Sequence, residues 1–262
     1  MSFILALAQS KHPLDGNVVG MVERFARRAR DQHASLLVFP ETLMTRFDGS
    51  IEKFRRAAQP VNGEFARAID AIAAETSLWI AYTMNERNDT GDLPYNTAII
   101  TDSFGEQRAH YRKVHLFDAQ GYRESDRLSA GNELMQPVMA PFATIGLAIC
   151  YDLRFPEVAL NAARSGAQIL LYPAAWVSGP GKTEQWETLL RARAIENGLF
   201  VAGVSSCDEQ RIGNSRVYGP DGTLIAAGEE GEELITCEID IQEIERVRTS
   251  TPSLKHRRPD CY

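Results

Sequence analysis

Length, composition and charge are those of an ordinary globular protein, and they exclude several classes of function. The chain has 262 residues, of which 44% are hydrophobic and 24% are charged, enough to bury a sizeable core. The net charge of −7, without a basic stripe, argues against a nucleic-acid-binding surface. No apolar segment approaches the ~20 residues needed to span a bilayer. We therefore expect neither a nucleic-acid partner nor a membrane anchor.

The four cysteines and five histidines are sparse and scattered. No two cysteines form a C-x-x-C pair, which is typical of free thiols in the reducing cytoplasm, where we expect this protein to reside. The histidines show no metal-ligand spacing, so we predict no zinc site.

The first half of the chain alternates predicted strands and helices. Short apolar runs predict buried strands, and apolar residues at helical spacing predict amphipathic helices. We expect strands at 3–8, 35–39 and 78–83, with helices around 18–29 and 65–73. Two further runs, 95–101 and 107–114, flank a turn sequence and predict a strand pair.

After a long segment at 115–141, the same order returns. We expect strands at 144–149, 168–172, 199–204 and 234–239, helices after 155, at 183–197 and at 240–248, and a hairpin joining 215–218 to 223–227. The recurrence predicts an α/β protein of two similar halves in a single domain spanning residues 1–262. Its sheets would pack on each other with the helices outside.

The segment from Thr144 to Glu157 carries the first candidate catalytic residue. The predicted strand closes at Cys150, and Asp152 followed by Pro156 indicates a helix start with Asp152 as the N-cap. A cysteine between a strand end and a helix N-terminus lies where a thiolate is stabilised. The alternative is a buried cysteine that only packs in the core.

Two more candidates, Glu41 and Lys113, lie close to predicted strands. In layered α/β folds, ligand sites gather at the carboxyl ends of the strands, and Glu41 follows such an end. Taken alone, Glu41 could be a solvated loop acid and Lys113 a charge on an edge strand. Together with Cys150 they supply a general base, a cation and a nucleophile.

Three motifs in order resemble those of the nitrilase superfamily of carbon–nitrogen hydrolases, and especially its Nit branch of amidases. They are Pro40-Glu41, Tyr111-Arg-Lys-Val-His-Leu-Phe-Asp118 and Cys150-Tyr-Asp-Leu-Arg-Phe-Pro-Glu157. The likeness runs nearly end to end and includes Tyr172-Pro-Ala-Ala-Trp176 and the tail His256-Arg-Arg-Pro-Asp260. Three motifs in the right order are far more specific than any one of them.

The resemblance implies a four-layer α-β-β-α sandwich that forms a homodimer or a higher homo-oligomer. It also implies a catalytic triad of Glu41, Lys113 and Cys150, with Glu124 as a fourth catalytic residue. The alternative for Glu124 is a solvated loop acid. No metal ion or organic cofactor is called for.

The implied reaction is hydrolysis of a small carboxylate-bearing amide to acid and ammonia through a thioester on Cys150. Glu41 would transfer protons, while Lys113 and the backbone N–H of Tyr151 would stabilise the oxyanion.

Three residues are predicted to bind the rest of the substrate. Arg154 would hold a carboxylate, or would instead pair with Glu157 in a structural role. Tyr151 and Trp176 would line the apolar part of the pocket.

The resemblance favours deaminated glutathione as the substrate. The alternatives are 2-oxoglutaramate, as for an omega-amidase, and an N-carbamoyl amine or a nitrile. Two other classes of function remain open at this point. One is a partner-binding protein that kept the fold without catalysis, and the other is a thiol redox sensor that pairs Cys150 with a second cysteine such as Cys207.

Overall fold

The computed structural model describes residues 2–45 and 51–261, and within these ranges helices and strands alternate along the chain. The helices are α1 (Val18–Asp31), α2 (Ile51–Ala57), α3 (Glu64–Thr76), α4 (Pro156–Arg164), α5 (Lys182–Asn197) and α6 (Gln242–Ser250). The strands are β1 (Ser2–Gln9), β2 (Leu36–Val38), β3 (Trp79–Glu86), β4 (Tyr95–Thr101), β5 (Gln107–Arg112), β6 (Asp118–Ala119), β7 (Tyr122–Arg123), β8 (Val138–Met139), β9 (Thr144–Leu147), β10 (Ile169–Ala174), β11 (Phe200–Ser205), β12 (Arg216–Tyr218), β13 (Leu224–Ala227) and β14 (Glu233–Asp240).

Two six-stranded sheets repeat one arrangement. The first has the order β14-β1-β2-β3-β4-β5 and the second the order β13-β12-β11-β10-β9-β8. In each sheet three central strands are parallel: β1, β2 and β3 in the first, and β9, β10 and β11 in the second. An antiparallel pair follows on one side and a single antiparallel strand lies on the other. The prediction of two similar halves is confirmed.

The sheets pack on each other, and helices cover their outer faces. In β1, Leu5 and Leu7 contribute to the core between the sheets, whereas Ala6 and Ala8 contribute to the core under the helices. This alternation explains why the central strands are apolar throughout, since a strand buried on both faces has no polar side. Helices α1 and α3 cover the first sheet, and α4 and α5 cover the second. The four-layer α-β-β-α prediction is confirmed.

Several details go beyond the sequence-based predictions or differ from them. Helix α2 was not predicted, because only Phe54 among its seven residues is buried and no apolar period is visible. The short strands β6, β7 and β8 were not predicted either. Strand β14, for which no partner was predicted, pairs with β1 of the first sheet. Asp152 is not an N-cap: a 3-10 turn runs from Cys150 to Arg154, and Phe155 stands at the N-cap position of α4.

Within the described ranges, no helix is both long and apolar enough to cross a membrane. The four cysteines are free thiols. The core between the sheets draws on both halves of the chain, and the assignment of residues 1–262 to one domain stays a prediction.

Candidate active site

The carboxyl ends of parallel strands from both sheets meet at one place. Glu41 follows β2 of the first sheet, while Cys150 and Ala175 follow β9 and β10 of the second. Lys113 comes directly after β5, and its backbone N–H donates to the carbonyl of Asn96 on β4. The packing of one sheet on the other therefore brings together residues that are far apart in the sequence.

Cys150 has a backbone conformation that is rare for a residue with a side chain. Its φ angle is +43°, in the left-handed region, at the first residue of the 3-10 turn. Such strain persists only where the surroundings impose it, and it is concentrated at functional sites. The turn that imposes it is held from α5, since the guanidinium of Arg193 donates twice to the carbonyl of Leu153, at 3.1 and 2.9 Å.

A buried Asp152 anchors the same turn to the segment that carries Lys113. Its carboxylate accepts hydrogen bonds from the backbone N–H of Ile149 at 2.9 Å and from the Tyr111 hydroxyl at 2.8 Å. It also accepts from the backbone and the ring Nδ1 of His115, at 3.2 and 2.8 Å. The carboxylate thereby ties residues on both sides of Lys113 to the residue before Cys150.

The three charged candidate residues, Glu41, Lys113 and Glu124, form one buried cluster. Nζ of Lys113 donates to Oε1 of Glu41 at 2.8 Å and to both carboxylate oxygens of Glu124, at 3.0 and 2.9 Å. Glu41 also accepts from Nδ2 of Asn96 at 2.8 Å and from the backbone N–H of Ala175 at 2.9 Å. All three charged side chains are almost wholly buried, so the alternatives of a solvated loop acid and an edge-strand charge do not hold.

The protonation states follow from burial and from this pairing. Burial opposes ionisation of Glu41, but Lys113 and hydrogen bonds from Lys113, Cys150 and Ala175 outweigh it, and they lower the pKa of Glu41. Burial likewise opposes the charge on Lys113, yet Glu124 and Glu41 raise its pKa well above the usual value. Burial raises the pKa of Glu124, and Lys113 only partly offsets this.

The Cys150 thiol is the group whose protonation departs from the sequence-based expectation. Burial first, and then the adjacent Glu41 carboxylate, raise the pKa of Cys150 well above its ordinary value, while Lys113 opposes them. Burial and Glu41 therefore outweigh any stabilisation of a thiolate by the following turn, and the pKa shift favours the protonated thiol. A thiol with a raised pKa near a carboxylate with a lowered pKa has the protonation states expected of a nucleophile with its general base.

A cavity of about 400 Å³ opens above Cys150. The predicted residues Glu41, Lys113, Cys150 and Glu124 lie in its lining, and so do the predicted substrate-binding residues. The predicted substrate-binding residues in the lining are Tyr151, Arg154 and Trp176, and the remaining lining residues are Phe117, Gln120, Tyr122, Ala175, Val177, Ser178, Lys182, Glu209, Gln210 and Arg211. The size suits a small organic molecule.

Arg154, Tyr151 and Trp176 meet on the cavity wall. The Arg154 guanidinium carbon lies 4.9 Å from the centre of the Trp176 ring, and Nη2 donates to Oε1 of Gln185 at 2.8 Å. Arg154 forms no ion pair with Glu157 or with any other carboxylate in the described ranges, so the structural-pair alternative is not observed. Tyr151 packs edge-to-face on Phe117 with ring centres 5.0 Å apart.

Three residues of the site were missed from the sequence. Asn96 and Asp152 hold Glu41 and the Cys150 turn in place, and Lys182 lines the cavity. Asn96 and Lys182 lie outside the three motifs and carried no local signal. Asp152 lies within a motif, where its position before Pro156 favoured a capping role.

Comparison with known proteins agrees with this geometry. A family model described as carbon-nitrogen hydrolase matches residues 5–249. The chain belongs to the carbon–nitrogen hydrolase family. Like other members, this hydrolase acts on carbon–nitrogen bonds other than peptide bonds, and it is an amidase.

The hydrolase is similar to proteins of known name and structure. It is 36% identical to the deaminated glutathione amidase of Escherichia coli O157:H7 over 88% of this chain and 87% of that protein. Its structure superposes on yeast Nit3, a member of branch 10 of the nitrilase superfamily, with a TM-score of 0.87 and 30% identity, covering 98% of this chain and 97% of the other. The resemblance to the Nit branch is confirmed.

A third comparison concerns a relative with a reactive cysteine. An amidase from Nesterenkonia sp. AN1 superposes with a TM-score of 0.81 and 25% identity, covering 99% of this chain and 95% of the other. A mutant of that amidase shows covalent addition of the acetamide moiety of fluoroacetamide at its active-site cysteine.

Proposed function

We propose that this amidase hydrolyses deaminated glutathione, using Cys150 as nucleophile, Glu41 as general base and acid, and Lys113 and Glu124 as its supporting charges. The observation that carries the chemistry is the buried cluster in which the Lys113 ammonium group bonds to Glu41 and Glu124, in the lining of the same cavity as Cys150. The substrate rests on the relatives that carry this name.

In the first half-reaction, Glu41 takes the proton from Sγ of Cys150 as the sulfur bonds to the amide carbonyl carbon. The carbonyl oxygen becomes an oxyanion, for which Lys113 and the backbone N–H of Tyr151 are the proposed donors. Losing one such donor typically costs ~3–4 kcal/mol of barrier. The carbon–nitrogen bond then breaks as Glu41 returns the proton to the departing nitrogen, which leaves a thioester and a free amine.

In the second half-reaction, Glu41 removes a proton from water as the water oxygen attacks the thioester carbon. The carbon–sulfur bond breaks, the acid leaves and the thiol regains its proton. In this scheme the protein needs no thiolate in its resting state, because the base that generates the nucleophile lines the same cavity as the thiol.

The role proposed for Glu124 is to hold Lys113 in place and charged. Both of its oxygens accept from Nζ, and Oε2 also accepts from the backbone N–H of Phe117 at 2.6 Å. The cation therefore has carboxylates on two sides, and it keeps its proton through both half-reactions.

The leaving group distinguishes the two main substrates. Deaminated glutathione would release 2-oxoglutarate and the dipeptide cysteinylglycine, whereas 2-oxoglutaramate would release 2-oxoglutarate and ammonia. The acyl half is common to both. N-carbamoyl amines and nitriles are the remaining alternatives within the same chemistry.

The test is the release of 2-oxoglutarate from deaminated glutathione and from 2-oxoglutaramate by the wild-type protein, by Cys150→Ala and by Cys261→Ala. Cys261 is an exposed thiol outside the cavity and serves as the matched control. We expect higher kcat/KM for deaminated glutathione in wild type and in Cys261→Ala, and no turnover in Cys150→Ala. Turnover of neither amide would overturn the proposed substrate, and turnover by Cys150→Ala would overturn the nucleophile.

The assembly and location are also proposals. We propose a homodimer or higher homo-oligomer in the cytoplasm. Exposed apolar residues support self-association, since Ile195 of α5 and Leu224 of β13, both in the second half of the chain, are about half exposed. Sedimentation velocity measures the assembly directly, and a monomer at micromolar concentration would contradict it.

A further inference from the structure

Lys182, at the start of α5, is a buried cation in the cavity wall whose charge is left uncompensated. Only 8% of the residue is exposed. Among the described residues, no carboxylate lies within ion-pair distance of its ammonium group and no side-chain or backbone oxygen accepts from it. A buried ammonium group is costly unless it is paired, so a lysine left in this state indicates a missing partner.

The neighbours of Lys182 make its position still less favourable. Arg154 is close enough to repel it, and burial together with this repulsion lowers the pKa of Lys182. The residue is also the first of the 16-residue helix α5, where the helix dipole is positive and disfavours a cation. Two cations and a helix N-terminus thus converge on one part of the cavity.

Lys182 lines the same cavity as Cys150 and Arg154. Its Nζ is 5.9 Å from the centre of the ring of Phe117, another lining residue. The backbone holds it there, because the indole N–H of Trp176 donates to the carbonyl of Lys182 at 3.0 Å.

The other charges in the cavity do not compensate it. Glu41 and Glu124, at the base, are both bonded to Lys113. Glu209, at the mouth, is exposed and shares its loop with Arg211.

We propose that Lys182 and Arg154 together bind a carboxylate of the substrate's acyl half, which selects amides of a 2-oxo dicarboxylic acid over uncharged amides. A carboxylate between them would supply the missing charge and accept from both donors. We assign it to the acyl half because that half is common to deaminated glutathione and 2-oxoglutaramate. The inference rests on the proposed function for the identity of this acyl group.

The test uses a ligand that needs no turnover. The probe is 2-oxoglutarate, the acyl product, and the readout is its protection of Cys150 against alkylation by iodoacetamide, an uncharged reagent. Protection is taken as the ratio of the labelling rates with and without 2-oxoglutarate in each variant, so a change in the reactivity of the thiol itself cancels. The variants are Lys182→Gln, Lys182→Arg and, as the matched control, Lys255→Gln, an exposed lysine outside the cavity.

We expect the concentration of 2-oxoglutarate that gives half protection to rise roughly 10- to 100-fold in Lys182→Gln, the loss typical of one charge-assisted hydrogen bond. Lys182→Arg keeps the charge and should retain most of the protection, and Lys255→Gln should match wild type. Protection retained in Lys182→Arg would show that the loss in Lys182→Gln comes from the missing charge and not from a damaged pocket.

Two results would overturn the inference: no protection of the wild-type thiol by 2-oxoglutarate, or equal protection in wild type and Lys182→Gln. Failure of the proposed function has a different signature. A protein that hydrolyses neither amide but shows protection dependent on Lys182 would retain the carboxylate site and lose the proposed substrate.

Discussion

The Tyr111 hydroxyl donates to Oδ2 of Asp152 at 2.8 Å, and this buried contact helps to join the segment that carries Lys113 to the segment that carries Cys150. Tyr111 comes two residues before Lys113, and Asp152 comes two residues after Cys150. Both side chains are buried. We therefore expect this hydrogen bond to contribute to the relative position of Lys113 and Cys150.

Tyr111→Phe should lower stability and kcat together. The change removes one of the donors to a buried carboxylate, which we expect to cost ~1–3 kcal/mol of unfolding free energy, measured by urea denaturation. The kcat should fall more than KM rises, since the loosened contact moves Lys113 relative to the thiol. Tyr172→Phe is the matched control: within the described part of the chain, the buried Tyr172 hydroxyl has no hydrogen-bond partner. Equal losses in the two variants would contradict the anchoring role.

Glu41→Gln should nearly abolish turnover, because the amide side chain cannot accept the thiol proton. General base catalysis typically contributes 10²–10⁴-fold, and we expect a loss of about that size in kcat. The measurement is 2-oxoglutarate release, with the exposed Glu238→Gln as control.

The pH dependence of thiol alkylation tests the same assignment. In wild type, the ionised Glu41 should make the labelling rate at Cys150 nearly independent of pH between 6 and 8. In Glu41→Gln, the thiol must ionise without a base, so the rate should rise steadily with pH over that range. Parallel pH profiles in the two proteins would argue against proton transfer to Glu41.

Lys113→Met should destabilise the protein in a pH-dependent manner. Removing the cation leaves Glu41 and Glu124 buried without compensation, which typically costs ~3–5 kcal/mol. In wild type Lys113 lowers the pKa of Glu41, and without it the pKa of both carboxyls should exceed the unfolded value of ~4.3. A carboxyl whose pKa is higher in the folded than in the unfolded protein makes the protein less stable as pH rises. The loss of unfolding free energy in the variant, relative to wild type, should therefore be smaller at pH 5 than at pH 7.5.

Urea denaturation of Lys113→Met and wild type at the two pH values measures this deficit. Lys255→Met, which changes an exposed lysine, should show little effect at either pH. A deficit that stays constant between pH 5 and 7.5 would show that the carboxylates do not depend on Lys113 for their charge.

Gly131→Ala should displace the backbone that positions Lys113. The backbone N–H of Gly131 donates to the carbonyl of Lys113 at 2.8 Å, and a Cβ at this glycine would lie 2.3 Å from the carbonyl oxygen of Arg112. Because that oxygen belongs to the backbone, the end of β5 must shift, at a cost of ~1–3 kcal/mol. Gly231→Ala, where a Cβ meets nothing within 4 Å, is the control. The melting temperature, measured by thermal denaturation, and kcat should fall only in Gly131→Ala. An unchanged kcat in that variant would show that activity does not depend on this packing behind Lys113.

The sequence by itself determined the elements and the reactive side chains. Strand runs such as 95–101 and the amphipathic helix that became α1 are local patterns, because burial on one or both faces of an element leaves a period in its own residues. Glu41, Lys113 and Cys150 were predicted for a related reason, because they lie in short motifs whose order along the chain is distinctive. Glu124 lies outside these motifs and was predicted only from the resemblance to the family.

Only the tertiary structure decided which of these groups meet and in what state. Asn96, Asp152 and Lys182 matter through contacts with residues far away in the sequence, and the packing of strand ends that creates those contacts leaves no local pattern. The protonation of Cys150 also could not be predicted from a local pattern, because its pKa depends on burial and on the proximity of Glu41 and Lys113. Electrostatic energies vary with distance and with access to water, and both are fixed when the two sheets pack together.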